Sequence, residues 1–131
     1  MIEDKIVLVT GVSSGIGRET AQLAAERDAR VFGTVRGFRG NGDLPDVEPV
    51  HMDVTDDASV RDGVTSVLKK AGKIDILINN AGYGLTGALE ETSVEEAQQQ
   101  FDTNFFGALR VTQAVLPAMR KRFQLDESIR R

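Results

Sequence analysis

Ile6-Val7-Leu8-Val9-Thr10-Gly11-Val12-Ser13-Ser14-Gly15-Ile16-Gly17 sets the frame for the rest of the chain. Four apolar residues in a row read as a strand buried on both faces, the habit of a parallel sheet covered by helices. Next comes a G-x-x-x-G-x-G turn, and then a helical pattern. From Ile16, apolar or small residues recur at Thr20, Leu23 and Ala24, which places them on one helix face. That helix is expected to end near Asp28, a residue type that tolerates the left-handed region. Glycines between a strand and a helix serve three needs: a tight turn, close backbone approach to a pyrophosphate, and close packing of helix on sheet. The free N–H groups at the helix start then face the phosphates. The spacing departs from G-x-G-x-x-G, and the same glycines would also suit a turn with no ligand.

Outward from this stretch, the sequence alternates short apolar runs with helical periods. Residues 31–35 read as a second strand, 37–46 as a loop rich in Gly, Asp and Pro, and 47–52 as a third strand. Thr55 or Asp56 caps the next helix. Val60, Val64, Val67 and Leu68 fall on its buried face, and Gly72 stops it. Residues 74–78 read as a fourth strand, ended by Asn79-Asn80-Ala81-Gly82. Ser93 with Glu96 three residues on is a capping-box signature. A long helical stretch then runs to about Arg122, with Phe101, Phe105, Leu109, Leu116 and Met119 on one side. Pro117 is expected to kink or break it. Residues 123–131 show no clear period. The pattern predicts an α/β fold: a Rossmann-type doubly wound parallel sheet of about four strands in the order 3-2-1-4. It occupies residues 1–122, with a tail over 123–131.

Composition narrows the function classes. The 131 residues fit one domain, and 40% apolar with 27% charged residues is ordinary for a globular protein. A net charge of −4 gives no basic field, so nucleic acid is not an expected partner. Arg120-Lys121-Arg122 is the one dense basic run and reads as a solvated helix end. With no cysteine there is no disulfide or thiolate metal site. The first residues lack the pattern of a signal peptide, and no stretch has the length of a membrane span. A cytoplasmic protein without a membrane partner is expected. The lone His51 is expected at a strand end rather than in a metal site.

Four motifs occur in order: T-G-x-x-x-G-I-G at residues 10–17, Asp53-Val54, Asn79-Asn80-Ala81-Gly82, and Asn104 within Asp102-Thr103-Asn104-Phe105-Phe106-Gly107. Together they resemble the short-chain dehydrogenase/reductase family over about residues 5–122. The resemblance implies that Thr10, Gly11, Ser13, Ser14, Gly15 and Gly17 form the turn under a pyrophosphate, with Ile16 near the nicotinamide end. It implies that Asp53 and Val54 flank the adenine. Asn80, Ala81 and Gly82 would stabilise the sheet and touch the ribose and adenine sides. Asn104 would match the helix asparagine of the family's catalytic tetrad, which holds a water in the proton relay. Readers of NAD place an acid at the end of the second strand. Here that stretch is Gly33-Thr34-Val35-Arg36-Gly37, with no acid. Arg36 suits a 2′-phosphate, with Thr34 or Ser13 adding a hydroxyl. NADP is therefore expected over NAD, although Arg36 alone would also read as a surface charge.

The family's chemistry also needs a serine and a Tyr-x-x-x-Lys pair beyond a fifth strand. The sole tyrosine here is Tyr83, and Gly87 stands four residues on. The expectation is the NADP(H)-binding part of an oxidoreductase of alcohols and ketones, without turnover on its own. A small-molecule substrate is expected only if the missing part is supplied. The alternatives are a non-catalytic nucleotide-binding or interaction module, or a gene fragment without selected function. An open fourth strand beside an apolar helix predicts self-association, unless the tail folds back and covers it with Phe123, Leu125 and Ile129.

Overall fold

Ile6 and Leu8 point into one core and Val7 and Val9 into another, so β1 (Ile6–Val9) is buried on both faces. The computed structural model describes residues 1–37 and 44–130. After β1 come α1 (Gly15–Ala25), β2 (Arg30–Val35), β3 (Val47–His51), α2 (Asp57–Ala71) and β4 (Ile76–Ile78). A 3₁₀ turn (Leu89–Glu91), α3 (Val94–Phe101), a π-helical turn (Asp102–Gly107) and α4 (Ala108–Arg130) complete the order. All strand pairs are parallel and their order is β3-β2-β1-β4, as the sequence predicts. Within the expected loop at 37–46, residues 38–43 lie outside the described residues, as does Arg131.

The two cores show why the sheet is doubly wound. Val7, Val9, Val31 and Val47 meet Ala21 and Ala24 of α1 on one face. Leu8, Phe32 and Val50 meet Val60, Val64 and Val67 of α2 and Val111 and Val115 of α4 on the other. Local signals set the helix ends. Asp56 accepts from the Ser59 N–H, Gly72 takes φ 76° and closes α2 on the Leu68 carbonyl, and the Ser93–Glu96 capping box is reciprocal. Asp28 lies three residues past α1 and does adopt φ 61°.

Three expectations are corrected. The buried face of α1 is Gly17, Ala21 and Ala24, while Ile16 and Leu23 are exposed. α1 lies close on the sheet, and small residues make that approach possible. β4 begins at Ile76 rather than Ile74, because the Asp75 carboxylate accepts from the Ile6 N–H at 2.8 Å just ahead of the strand. Of the predicted apolar side of the long helix, Phe101, Phe105, Leu109 and Leu116 are exposed, and only Met119 packs against the core. The π turn holds more residues per turn than an α-helix and rotates the helix beyond it, so a period projected through it points the wrong way.

Pro117 lies inside α4, and the helix runs on through residues 123–130. Phe123, Leu125 and Ile129 are exposed and do not cover β4.

Candidate functional site

The carboxyl ends of β1 and β4 lie side by side, Val9 opposite Ile78, so the two loops that leave them meet. Thr10, 1% exposed, is the knot between those loops. Its Oγ1 accepts from the backbone N–H of Asn80 at 3.0 Å and of Ala81 at 2.9 Å. Asn80 Nδ2 donates back to the Thr10 carbonyl at 3.1 Å and the Gly11 carbonyl at 2.9 Å. On the other side the Gly11 N–H donates to Thr34 Oγ1 and the Val12 N–H to the Thr34 carbonyl, each at 3.0 Å. Thr34 is thus buried and committed to the turn. Its expected help toward a phosphate is corrected, because its hydroxyl points into the fold.

Glycine is required at two points of this turn for different reasons. Gly11 has φ 72°, and a β-carbon there would come within 2.9 Å of the Ala81 backbone. Gly17 has an ordinary φ, but a β-carbon on it would overlap the Asn80 side-chain amide and the Gly11 carbonyl. The Gly17 position is therefore a close contact between α1 and the Asn80 loop.

The start of α1 is open. Ser13, Ser14, Gly15 and Ile16 are exposed. Ser14 caps the helix with extended backbone and makes no side-chain capping hydrogen bond, and the first turn has no acid. Such a terminus suits an anion. The arrangement fits a dinucleotide's phosphates: an anion-accepting helix end on a turn whose Thr10 hydroxyl and neighbouring Asn80 amide are already spent within the fold.

Around this turn lie the other residues singled out in the sequence. Arg36 is exposed directly after β2. Asp53 accepts from the N–H and the hydroxyl of Thr55 at 2.9 and 2.7 Å. Those bonds, with smaller help from Arg36 and His51, hold its carboxyl below the usual range against the opposing effect of burial. Val54 is buried, with its side chain in the core. His51 ends β3.

Asn104, on the π turn, clips the segment after Gly82. Its Oδ1 accepts from the Tyr83 N–H at 2.9 Å and its Nδ2 donates to the Tyr83 carbonyl at 2.7 Å. A β-carbon on Gly82 would stand 2.8 Å from Asn104 Oδ1, so the glycine makes room for the clip.

Sequence reasoning missed Ser59 and Arg110, and for Asn79, quoted only within its motif, it missed the partner. Asn79 Nδ2 donates to Thr112 Oγ1 of α4 at 3.0 Å. Ser59 Oγ accepts from the Asp53 N–H at 2.8 Å. Arg110 bonds to Asp57, Asp102 and Val54, and its hydrogen bond to the Asp102 side chain is the main reason its pKa is raised. The Asn79–Thr112 and Arg110–Asp57 bonds span 33 and 53 residues and carry no local signal, whereas Ser59 stands only six residues from Asp53. Among the described residues no cluster of acids or histidines could hold a metal ion, and no helix is long and apolar enough to cross a membrane.

The sequence profile described as short chain dehydrogenase matches residues 5–124. A 3-ketodihydrosphingosine reductase of Bacteroides thetaiotaomicron is 43% identical over 120 residues, which cover 92% of this chain and 44% of that protein. The crystal structure of a short-chain dehydrogenase from Streptomyces avermitilis superimposes with a TM-score of 0.85 at 39% identity, covering 92% of this chain and 46% of that one. An NADPH-bound carbonyl reductase from chicken fatty liver superimposes with a TM-score of 0.83 at 28% identity, covering 96% and 52%. The chain spans about half the length of the proteins it matches.

Proposed function

The chain belongs to the short-chain dehydrogenase family, which binds nicotinamide dinucleotides, and on that premise we propose that it is the NADP(H)-binding part of an oxidoreductase of alcohols and ketones. The observation that carries the reading is the open start of α1, at a turn locked to the Asn80 loop through Thr10. Thr10, Gly11, Gly15 and Gly17 shape that turn. The exposed Ser13, Ser14 and Ile16 border it, and the backbone N–H groups of the first turn take the pyrophosphate.

Asp53 and Val54 border the adenine side, and Asn80, Ala81 and Gly82 the ribose side. Arg36 takes the 2′-phosphate. Its exposure, the absence of an acid at residues 33–37, and its position near Asp53 support that assignment. Once bound, the dinucleotide supplies or accepts a hydride. Asn104 is assigned the place of the family's helix asparagine. These 131 residues contain no Tyr-x-x-x-Lys, so we assign them cofactor binding and not turnover. The exposed apolar faces of the π turn and α4 favour self-association.

The test is titration of NADPH and NADH into the wild type and Arg36→Ala. The expected result is a loss of about tenfold or more for NADPH, the size of a charge-assisted pair, with NADH little changed. Equal losses for both would remove the 2′-phosphate role. A wild type that binds neither would remove the cofactor reading.

A further inference from the structure

The π turn is wedged between two loops of the cleft. On one side, Gly107 faces Val54 so closely that a β-carbon would come within 2.7 Å of Val54 Cγ2. On the other, Asn104 holds both backbone polar groups of Tyr83. π-helical turns are rare and need something to hold them. The sequence around this one offers a device in Arg110, two residues into α4.

The Arg110 guanidinium reaches three separate places. Its Nε donates to Asp57 Oδ1 at 2.9 Å, at the first residue of α2. Its Nη1 donates to the Val54 carbonyl at 3.2 Å and to the Asp102 carbonyl at 3.1 Å. Its Nη2 donates to Asp102 Oδ1 at 2.6 Å. One planar fork therefore ties the first residue of the π turn, through both backbone and side chain, to the loop after β3. A lysine has one nitrogen and cannot span these acceptors at once.

We infer that Arg110 is a positioning residue for Asn104: by pinning the π turn to Val54 it sets where Asn104 clips Tyr83, and so couples the loop after β3 to the loop after β4. The separate bond from Asn79 to Thr112 anchors the start of the second loop and leaves the Tyr83 N–H to Asn104. For its functional consequence the inference rests on the cofactor reading above. For its structural content it does not.

The test is amide hydrogen exchange at Tyr83, whose N–H is bonded to Asn104. Asn104→Ala reports complete loss of the clip. Arg110→Gln is expected to speed Tyr83 exchange toward the Asn104→Ala level, on the order of tenfold, the scale of a lost charge-assisted hydrogen bond. Exchange in β1 should stay unchanged. Arg110→Lys should recover only a small part of the protection. Asp57→Asn, which alters an exposed partner and leaves Val54 and Asp102 in place, should leave Tyr83 as in the wild type. Unchanged Tyr83 exchange in Arg110→Gln overturns the inference. So does a rise shared equally by β1, which would mean general loss of stability. Full recovery by Arg110→Lys overturns the requirement for the fork. In parallel, NADPH affinity should fall in Arg110→Gln and hold in Asp57→Asn. If the wild type binds no nucleotide, the cofactor reading fails while Tyr83 exchange still decides the role of Arg110.

Discussion

Thr10 and Asn80 hold each other from both directions: the Asn80 N–H donates to Thr10 Oγ1 at 3.0 Å, and Asn80 Nδ2 donates to the Thr10 carbonyl at 3.1 Å. The pair joins the loops after β1 and β4. Thr10→Val keeps the shape but strands the Asn80 and Ala81 N–H groups. Each buried, unsatisfied N–H costs about 1–3 kcal/mol. Urea denaturation should show a loss in that range or somewhat above it, and Thr10→Ser should recover most of it.

Gly17 and Gly84 separate close packing from mere glycine content. A β-carbon at Gly17 would overlap Asn80 and the Gly11 carbonyl, whereas at Gly84 it meets nothing within 4 Å. Gly17→Ala is expected to cost several times what Gly84→Ala does, the latter staying within about 0.5 kcal/mol. Gly15→Ala should fall between them. It has open space but φ 61°, a strain of about 1–2 kcal/mol for a residue with a β-carbon. Thermal melts of the three variants check the order.

Asp75 makes stability depend on acid. Burial raises its pKa, but the Ile6 N–H, the bond from Lys73 and the charges of Lys73 and Arg122 outweigh that and lower it. A carboxylate whose folded pKa is lowered contributes stability above its unfolded pKa, near about 3.9. That contribution is lost as pH falls through the folded value. Asp75→Asn should therefore be less stable by about 1–2 kcal/mol at neutral pH. The gap should close below about pH 4, which denaturation curves across the acid range would read.

Leu109 and Leu116 are 45% and 39% exposed, a spacing of seven residues on one side of α4. If that side mediates self-association, Leu109→Lys with Leu116→Lys should lower the sedimenting mass at fixed concentration and leave the circular dichroism unchanged. An unaltered mass in the double variant would remove α4 from the contact.

The parts of this fold that are legible in the sequence are those where a local pattern has a single physical reading. The run at 6–9 can be buried on both faces only in a covered sheet. Asp56, Gly72 and the Ser93–Glu96 pair announce helix ends because caps are chemistry of neighbours. The G-x-x-x-G-x-G turn is legible as a shape, and its partner loop at 79–82 as a position.

The rest depends on contacts across the chain. Gly63 reads as a weak helix residue, yet it is buried and a β-carbon there would stand 2.6 Å from Met52 Cε. It is a packing site against Met52. Thr34 reads as a hydroxyl beside a phosphate site and is instead spent on Gly11. The π turn has no compositional mark, so a period carried through it puts the buried face of α4 on the wrong side. Arg110 lies eight residues from Asp102 and 53 from Asp57, and no window of sequence joins the three.

The bond between Thr10 and Asn80 spans 70 residues of chain. Closing a loop of that length comes late in folding, because its entropy must be met before the contact returns anything. The glycine turn leaves the ribosome before the residues that lock it, which are translated 70 residues later. A nascent chain that ends before α2 already carries β1, α1 and β2 in sequence and still lacks β4 and the Asn80 loop. The turn's locked geometry is therefore a property of the sheet with β4 seated against β1.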